Sequence, residues 1–326
     1  MNAIQQHATA ITRRSLLVLG TAVIGGQAPP VIAVPDDALG DALDTRDFIT
    51  PGFVTDFRTL PRFASGRVHP GPPRPLTDPA FKWVAGYVHA GASPGLPPYV
   101  PLGKPFPAFS WLSSELATYP NADAIDAGRY TPFSVADGVL TITADKPPAS
   151  IQPLIPAGYA RDYISGAMSS YPFSQTYGYF EMEARVPAGK GLWPAFWLLP
   201  ADLKWPPEID VMEILGDKPD TLYTTLHSRR FDHGTMHGYP TKGAGLATGF
   251  HRYGVDWGPE HVRFYLDRRL VCSQPTPADW HAPFYLLVNL AVGGPHSWPG
   301  APDSNTPFPA RFDISAIRAW QRRAYL

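Results

Sequence analysis

From about residue 130 onward the chain is a succession of short apolar or alternating runs cut by glycine and proline turns. Val139-Leu-Thr-Ile-Thr143 alternates, and Asp137-Gly138 before it has the composition of a hairpin turn. Further strand candidates fall at 162–169, 177–186, 192–199, 208–215, 221–227, 250–257, 261–267, 283–290 and 311–320. Between them stand Pro187-Ala-Gly189, Asp217-Lys-Pro219, Gly258-Pro259 and Gly293-Gly294-Pro295. No segment sustains a 3.6-residue period, and 39 prolines disfavour long helices. The pattern predicts an all-β fold, an antiparallel sandwich or jelly roll, without internal repeats.

The first third reads differently. Residues 1–33 have the form of a twin-arginine export signal. Arg13-Arg14 precede an apolar run, and Val31-Ile32-Ala33 suits cleavage. The run is shorter than the roughly 20 residues of a membrane span. The expectation is a periplasmic or secreted protein with no membrane association once the signal is removed. Residues 34–110 are a proline- and glycine-rich extension that packs on, or links to, the main domain at 111–326. Phe53-Val54-Thr55-Asp56-Phe57 is a candidate first strand, and Phe81, Trp83 and Tyr87 are candidates to pack on the main body.

Composition removes several functions. A net charge of −1 gives no reason to expect nucleic acid as a partner. The single cysteine, Cys272, permits no intrachain disulfide and no cysteine metal cluster; it reads as a small buried apolar residue. His233-Gly-Thr-Met-His237 has metal-ligand spacing for a helix, but the glycines and Pro240 around it predict a loop. A G-x-G-x-x-G turn is absent, and the G-x-S-x-G spacing occurs as Gly91-Ala-Ser93-Pro-Gly95 inside the proline- and glycine-rich extension.

One strand candidate carries chemistry. Glu208-Ile209-Asp210-Val211-Met212-Glu213 places three carboxylates within six residues of an otherwise apolar stretch. Alternation puts Glu208 and Asp210 on one face and Glu213 on the other. A β-bulge would return Glu213 to the shared face and send Met212 away. Three acids on one face repel each other and resist burial, a cost that implies a use. Retaining glycoside hydrolysis needs a carboxylate nucleophile and a protonated carboxylic acid about 5–5.5 Å apart. Two glutamates four steps along a strand start roughly 13 Å apart at their α-carbons, so the strand must bend. Asp210 between them would hydrogen-bond the nucleophile, and the neighbouring charges would raise the pKa of Glu213. As a bare spacing, E-x-D-x-x-E fits a solvated charged strand equally well.

The aromatic residues tilt that balance. Trp193 and Trp197 share a strand face just upstream, Trp205 lies three residues before Glu208, and Trp298 sits in a Gly/Pro loop. Flat rings with a polar N–H suit stacking on pyranose rings, although each Trp could equally fill a core.

Taken together, these residues resemble glycoside hydrolase family sixteen, the laminarinase, lichenase and agarase group, over roughly 130–326. The resemblance rests on Glu208-Ile-Asp210-Val-Met-Glu213, on Tyr177-Gly178-Tyr-Phe180-Glu181, and on Gly191-Leu-Trp193-Pro-Ala-Phe-Trp197. Phe250-His251-Arg-Tyr253-Gly-Val-Asp256-Trp257 and Pro283-Phe-Tyr-Leu-Leu-Val-Asn289-Leu-Ala-Val-Gly-Gly294 extend it. It implies a curved jelly roll with an open substrate cleft on the concave face, and internal cleavage of a polysaccharide by a monomer. Glu208 would be the nucleophile, Asp210 its helper and Glu213 the acid/base. Trp193, Trp197, Trp205, His227, Asn289 and Trp298 would bind sugar. The implied substrate is a β-1,3- or β-1,3-1,4-glucan, with no cofactor and no catalytic metal. The alternatives are a glycanase or transglycosylase acting on a bacterial exopolysaccharide, and a non-catalytic carbohydrate-binding sandwich, which would not need the three acids. Ser315 stands where many relatives carry an Asp that often belongs to a structural calcium site; Asp313 is close by in sequence.

Overall fold

A computed structural model of the chain describes residues 40–63, 82–86, 109–110, 114–120, 130–155, 157–171, 173–202, 204–230, 235–237 and 240–326. The export-signal reading, Phe81, Tyr87, His233 and most of 64–108 lie outside the described residues.

Nineteen strands are described. They begin with β1 (Phe53–Thr55), β2 (Val84–Ala85), β3 (Phe109–Ser110), β4 (Ala117–Pro120), β5 (Phe133–Ala136) and β6 (Val139–Ala144). Then come β7 (Tyr163–Ile164), β8 (Ala167–Ser169), β9 (Gly178–Arg185), β10 (Leu192–Pro200), β11 (Glu208–Ile214) and β12 (Thr221–His227). The series closes with β13 (Thr235–His237), β14 (Thr241–Lys242), β15 (His251–Trp257), β16 (His261–Leu266), β17 (Arg269–Pro275), β18 (Phe284–Val292) and β19 (Ala310–Trp320). Helical structure among the described residues is limited to single 3-10 turns, and no helix there is long and apolar enough to cross a membrane.

Two eight-stranded antiparallel sheets make an open sandwich of the jelly-roll kind. One runs β17-β16-β15-β9-β19-β6-β5, with β1 also on β19. The other runs β13-β12-β11-β10-β18-β8-β2, with β14 also on β12. Described parts of the N-terminal extension thus enter both sheets, β1 in the first and β2 in the second. Arg322 secures the segment before β1: it is buried, ion-paired to Asp256 at 2.8 Å and to Asp47, and its guanidinium lies 4.5 Å from the Phe48 ring centroid.

The core lies between the sheets, where β11 faces β15 and β18 faces β6. Phe196, Leu198, Ile209, Met212, Ile214, Leu222, Phe264 and Val288 are all fully buried there. Each such side chain stabilises the fold by about 1.5–3 kcal/mol through burial alone. Trp83, Trp257 and Trp280 belong to this core, and Cys272 is buried and unpaired.

The 162–169 candidate is two strands rather than one. β7 pairs in parallel with β4, whereas β8 pairs with β18, and the chain changes partner at Ser165-Gly166. Gly166 permits the crossing, because a Cβ there would meet Ile142 at 2.7 Å and Phe133 at 2.8 Å. β17 has no counterpart in the sequence reading. Its hairpin with β16 turns on Asp267 and Arg268, both at positive φ, with no glycine to signal it. Glu181 holds Arg268 through two hydrogen bonds of 2.7 and 2.9 Å, and Asp267 Oδ1 accepts the Arg252 amide at 2.9 Å. Tertiary contacts here take the place of the usual turn residue.

Candidate active site

β11 lies between β10 and β12, and its register breaks once on each side. Against β10, Trp197 opposes Asp210 and the next residue, Phe196, opposes Met212. Val211 is therefore an inserted residue. Against β12, Asp210 opposes Thr225 and Glu213 opposes Tyr223, three steps on one strand for two on the other. This is the β-bulge that the acid spacing demanded. Met212 turns into the core and is fully buried. Glu208, Asp210 and Glu213 emerge on the outer face of the sheet, with Glu208 and Glu213 half-buried and Asp210 at 4% exposure.

The same alternation arrays the neighbours on that face. β10 contributes Trp193 and Trp197, β12 contributes Tyr223, Thr225 and His227, and β18 contributes Asn289. Each acid has its own donor. Trp205 Nε1 donates to Glu208 Oε2. His227 Nε2 lies 3.1 Å from Asp210 Oδ2. Trp193 Nε1 donates to Glu213 Oε1 at 3.1 Å, and Thr225 also hydrogen-bonds Glu213. Glu208 and Asp210 hydrogen-bond each other. Trp197 Nε1 donates to Asn289 Oδ1 at 2.9 Å, so Asn289, itself buried, holds the indole in place.

The electrostatics follow from crowding three carboxyl groups into a half-dry site. Burial pushes the Glu213 carboxyl up to about 8, with the charge of Glu208 as the second cause. Burial first, and neighbouring charge second, also hold the Glu208 and Asp210 pair well above the usual carboxylate range. The sequence argument credited neighbouring charge alone for Glu213; desolvation is the larger cause. Burial lowers the His227 imidazole, which is neutral at pH 7. At neutral pH the cluster therefore holds protons that exposed carboxylates would have lost, one of them on Glu213.

Every residue proposed from sequence lies on this face or its rim. Trp298, 40% exposed, stands edge-on to Trp193 (centroids 6.0 Å) and to Tyr223 (4.7 Å), making an aromatic group at the Glu213 end. Trp205 and His227 lie together at the Glu208 end, with ring centroids 5.9 Å apart. Tyr223 and Thr225 were missed, although they stand four and two residues before His227 and share its face by simple alternation. Glu208, Asp210 and His227 bring potential ligand atoms within 4.8 Å of one another, and those groups already hydrogen-bond to Trp205 and to each other. Asp313 fits a calcium ligand poorly. Thr141 donates to its Oδ1 at 2.6 Å, Arg185 pairs with its Oδ2 at 2.6 Å, and Arg311 lies 3.8 Å away.

Three carboxyl groups re-aimed by a bulge onto an aromatic-lined sheet face define a carbohydrate-active β-sandwich. Residues 124–314 match the model of glycosyl hydrolases family 16, and the chain belongs to that family. It is 46% identical over 188 residues to the endo-1,3-1,4-beta-glycanase EglC of Rhizobium meliloti, a match spanning 56% of this chain and 38% of that protein. It is 33% identical over 233 residues to a beta-glucanase of Rhodothermus marinus, spanning 65% of this chain and 76% of that one. The structure of the laminarinase from Rhodothermus marinus superposes with a TM-score of 0.59 at 28% identity, covering 83% of this chain and 97% of that one. The chain thus spans well under half the length of the Rhizobium relative.

Proposed function

We propose that this protein is a retaining endo-hydrolase of β-1,3- or mixed β-1,3-1,4-glucans. The observation that carries the reading is the β11 bulge, which gathers Glu208, Asp210 and Glu213 on one face and turns Met212 into the core. The names borne by the Rhizobium and Rhodothermus relatives favour a β-glucan as substrate.

In this mechanism Glu208 attacks the anomeric carbon as Glu213 protonates the departing glycosidic oxygen. The attack requires an ionised Glu208; the Trp205 N–H favours that charge, whereas burial and the Asp210 carboxyl beside it oppose it. A covalent glycosyl-enzyme results. Glu213, now ionised, takes a proton from water, and the hydroxide equivalent displaces Glu208 to release a product of retained configuration. The Trp193 and Thr225 donors ease the ionised state that Glu213 must pass through. Trp193, Trp197, Trp205, Trp298, His227 and Asn289 shape the sugar site around the bond. The carboxyl groups supply nucleophile, acid and base, so the scheme uses no cofactor.

The proposed working form is a monomer, a reading supported by Glu208, Asp210, Glu213 and the aromatic residues beside them all coming from one chain. The twin-arginine motif and the apolar run after it support export to the periplasm or beyond. Glu208→Gln tests the core assignment. Turnover of laminarin or lichenan should fall by at least about a thousandfold while the thermal transition is retained. Near-normal turnover in that variant would remove Glu208 from the chemistry. NMR of the first products should show the β-anomer, and an α-anomer would rule out retention.

A further inference from the structure

The strand that carries the nucleophile is entered from a stretch of backbone that cannot hold itself. Trp205-Pro206-Pro207 lies between the end of β10 at Pro200 and the start of β11 at Glu208. The two prolines have no N–H to donate. Among the described residues no backbone–backbone hydrogen bond outside the strands involves Trp205. Yet Trp205 has to be placed closely, because its Nε1 donates to Glu208 Oε2. That N–H favours the charged form of the nucleophile.

The hold comes from the turn after β12. Arg229 Nη2 donates to the Trp205 carbonyl oxygen at 2.9 Å. Arg229 is exposed, but the turn that bears it is anchored. Ser228, fully buried, donates to Asp279 Oδ1 at 2.8 Å, and its hydroxyl oxygen accepts the Arg230 amide at 3.1 Å. Just before Ser228 stands His227, whose ring centroid lies 5.9 Å from that of Trp205 and whose Nε2 meets Asp210. One anchored turn thus sets an imidazole beside the indole and a guanidinium on the backbone of the same tryptophan.

We propose that Arg229 is a positioning residue for the reaction: by holding the Trp205 carbonyl it keeps the indole N–H of Trp205 on Glu208. A guanidinium suits the task, since it donates from the end of a long stem and never loses its proton. The proposal rests on the reading of Glu208 as the nucleophile. Without Arg229 only packing holds the Trp205 segment, and the N–H is offered to Glu208 less often. A donor favours the ionised carboxylate, so its loss moves the ionisation of Glu208 to higher pH. The other titratable groups facing Glu208 are Asp210 and Glu213 on β11, His227 on β12 and Tyr285 on β18, and all of them remain in an Arg229 variant.

The test is the pH profile of kcat/KM on laminarin for Arg229→Ala, Arg229→Lys, Trp205→Phe and Arg229→Ala/Trp205→Phe, with a thermal midpoint for each. Trp205→Phe deletes the N–H and should move the acid limb up by about one unit. Arg229→Ala should move it up by about half a unit, a roughly threefold loss on the acid side, with the alkaline limb in place. Arg229→Lys can still donate to the carbonyl and should recover most of that loss. The double variant should move the acid limb no further than Trp205→Phe alone, because Arg229 acts only through the N–H that Phe lacks. An acid limb unmoved by Arg229→Ala, or a shift that persists in the Trp205→Phe background, overturns the positioning role and leaves Glu208 as the nucleophile. An acid limb that Trp205→Phe also leaves in place removes Glu208 as the group it reports, and the positioning role falls with it.

Discussion

Replacing Trp193 with Phe removes one hydrogen bond and keeps most of the ring. The bond lost is Trp193 Nε1–H to Glu213 Oε1 at 3.1 Å, the first-ranked influence holding the Glu213 pKa down against burial and the charge of Glu208. An N–H donor favours the ionised carboxylate, so its loss favours the protonated acid and moves the pKa upward. A hydrogen bond to a charged group is worth about 1.5–3 kcal/mol, and about 1.4 kcal/mol corresponds to one pH unit. The bond is half-buried and Thr225 remains as a second donor, so the lower end applies and the shift is about one unit. In the wild type Glu213 is protonated below about 8 and the alkaline limb of kcat/KM falls there. The variant should keep its acid protonated further, and the limb should move to about 9. The assay is a reducing-end measurement on laminarin between about pH 4 and pH 10. A lower maximum is expected from lost sugar contact, but the position of the limb is independent of its height. A limb that stays in place, or moves down, would refute both the role of the indole and the assignment of Glu213 as the acid.

The acid limb of the same profile should sit above the ordinary carboxylate range, because the Glu208 and Asp210 pair is raised by burial; a limb at pH 4 or below would contradict this. Trp298→Ala should raise KM severalfold with a thermal midpoint within about 2 °C of wild type, since the ring is 40% exposed, as read by kinetics and calorimetry. Glu115, buried and hydrogen-bonded by Tyr119 at 2.5 Å, is pushed up to about 8 by burial. Its folded form binds a proton that the unfolded chain loses near 4.5, so stability should fall between pH 4.5 and 8 by up to about 1.4 kcal/mol per unit. Glu115→Gln should flatten that slope in urea titrations. Arg322→Leu, which leaves Asp256 buried without its partner, should cost about 3–5 kcal/mol by the same method.

The sandwich was legible because strand period and turn residues are local signals. Asp137 and Gly138 both adopt positive φ and close the β5–β6 hairpin as their identities demand. What escaped is non-local. β17 hides behind Asp267-Arg268, a turn held by Glu181 and by the Arg252 amide across the sheet. Gly166 reads as an ordinary strand residue until the neighbouring Ile142 and Phe133 show why a strand must break there. The bulge was deducible because Glu213 sits out of phase with two other acids that gain nothing by being split between faces. Tyr223 and Thr225 were visible by alternation but carry no charge to draw attention.

The arrangement on β11 also decides between a catalyst and a passive sugar binder. A binding face needs rings and neutral donors, and an acid there is best left solvated. Here three acids share a half-dry sheet face, and each is given a dedicated partner: Trp205 for Glu208, His227 for Asp210, Trp193 with Thr225 for Glu213. Those partners do not restore ordinary acidity, since Glu213 still rests at about 8. They are enough to make the ionised form reachable but not preferred. A general acid that must give up its proton and then take one back needs that balance. The bulge matters for the same reason. Were Val211 instead paired in regular register opposite Phe196, Met212 would fall opposite Ala195 among the sugars and Glu213 would face the core opposite Pro194, where no donor could rescue it. Deleting Val211 should therefore leave the three acids on one face by plain alternation and alter only their spacing, with the thermal transition kept, whereas Glu213→Gln should abolish activity alone.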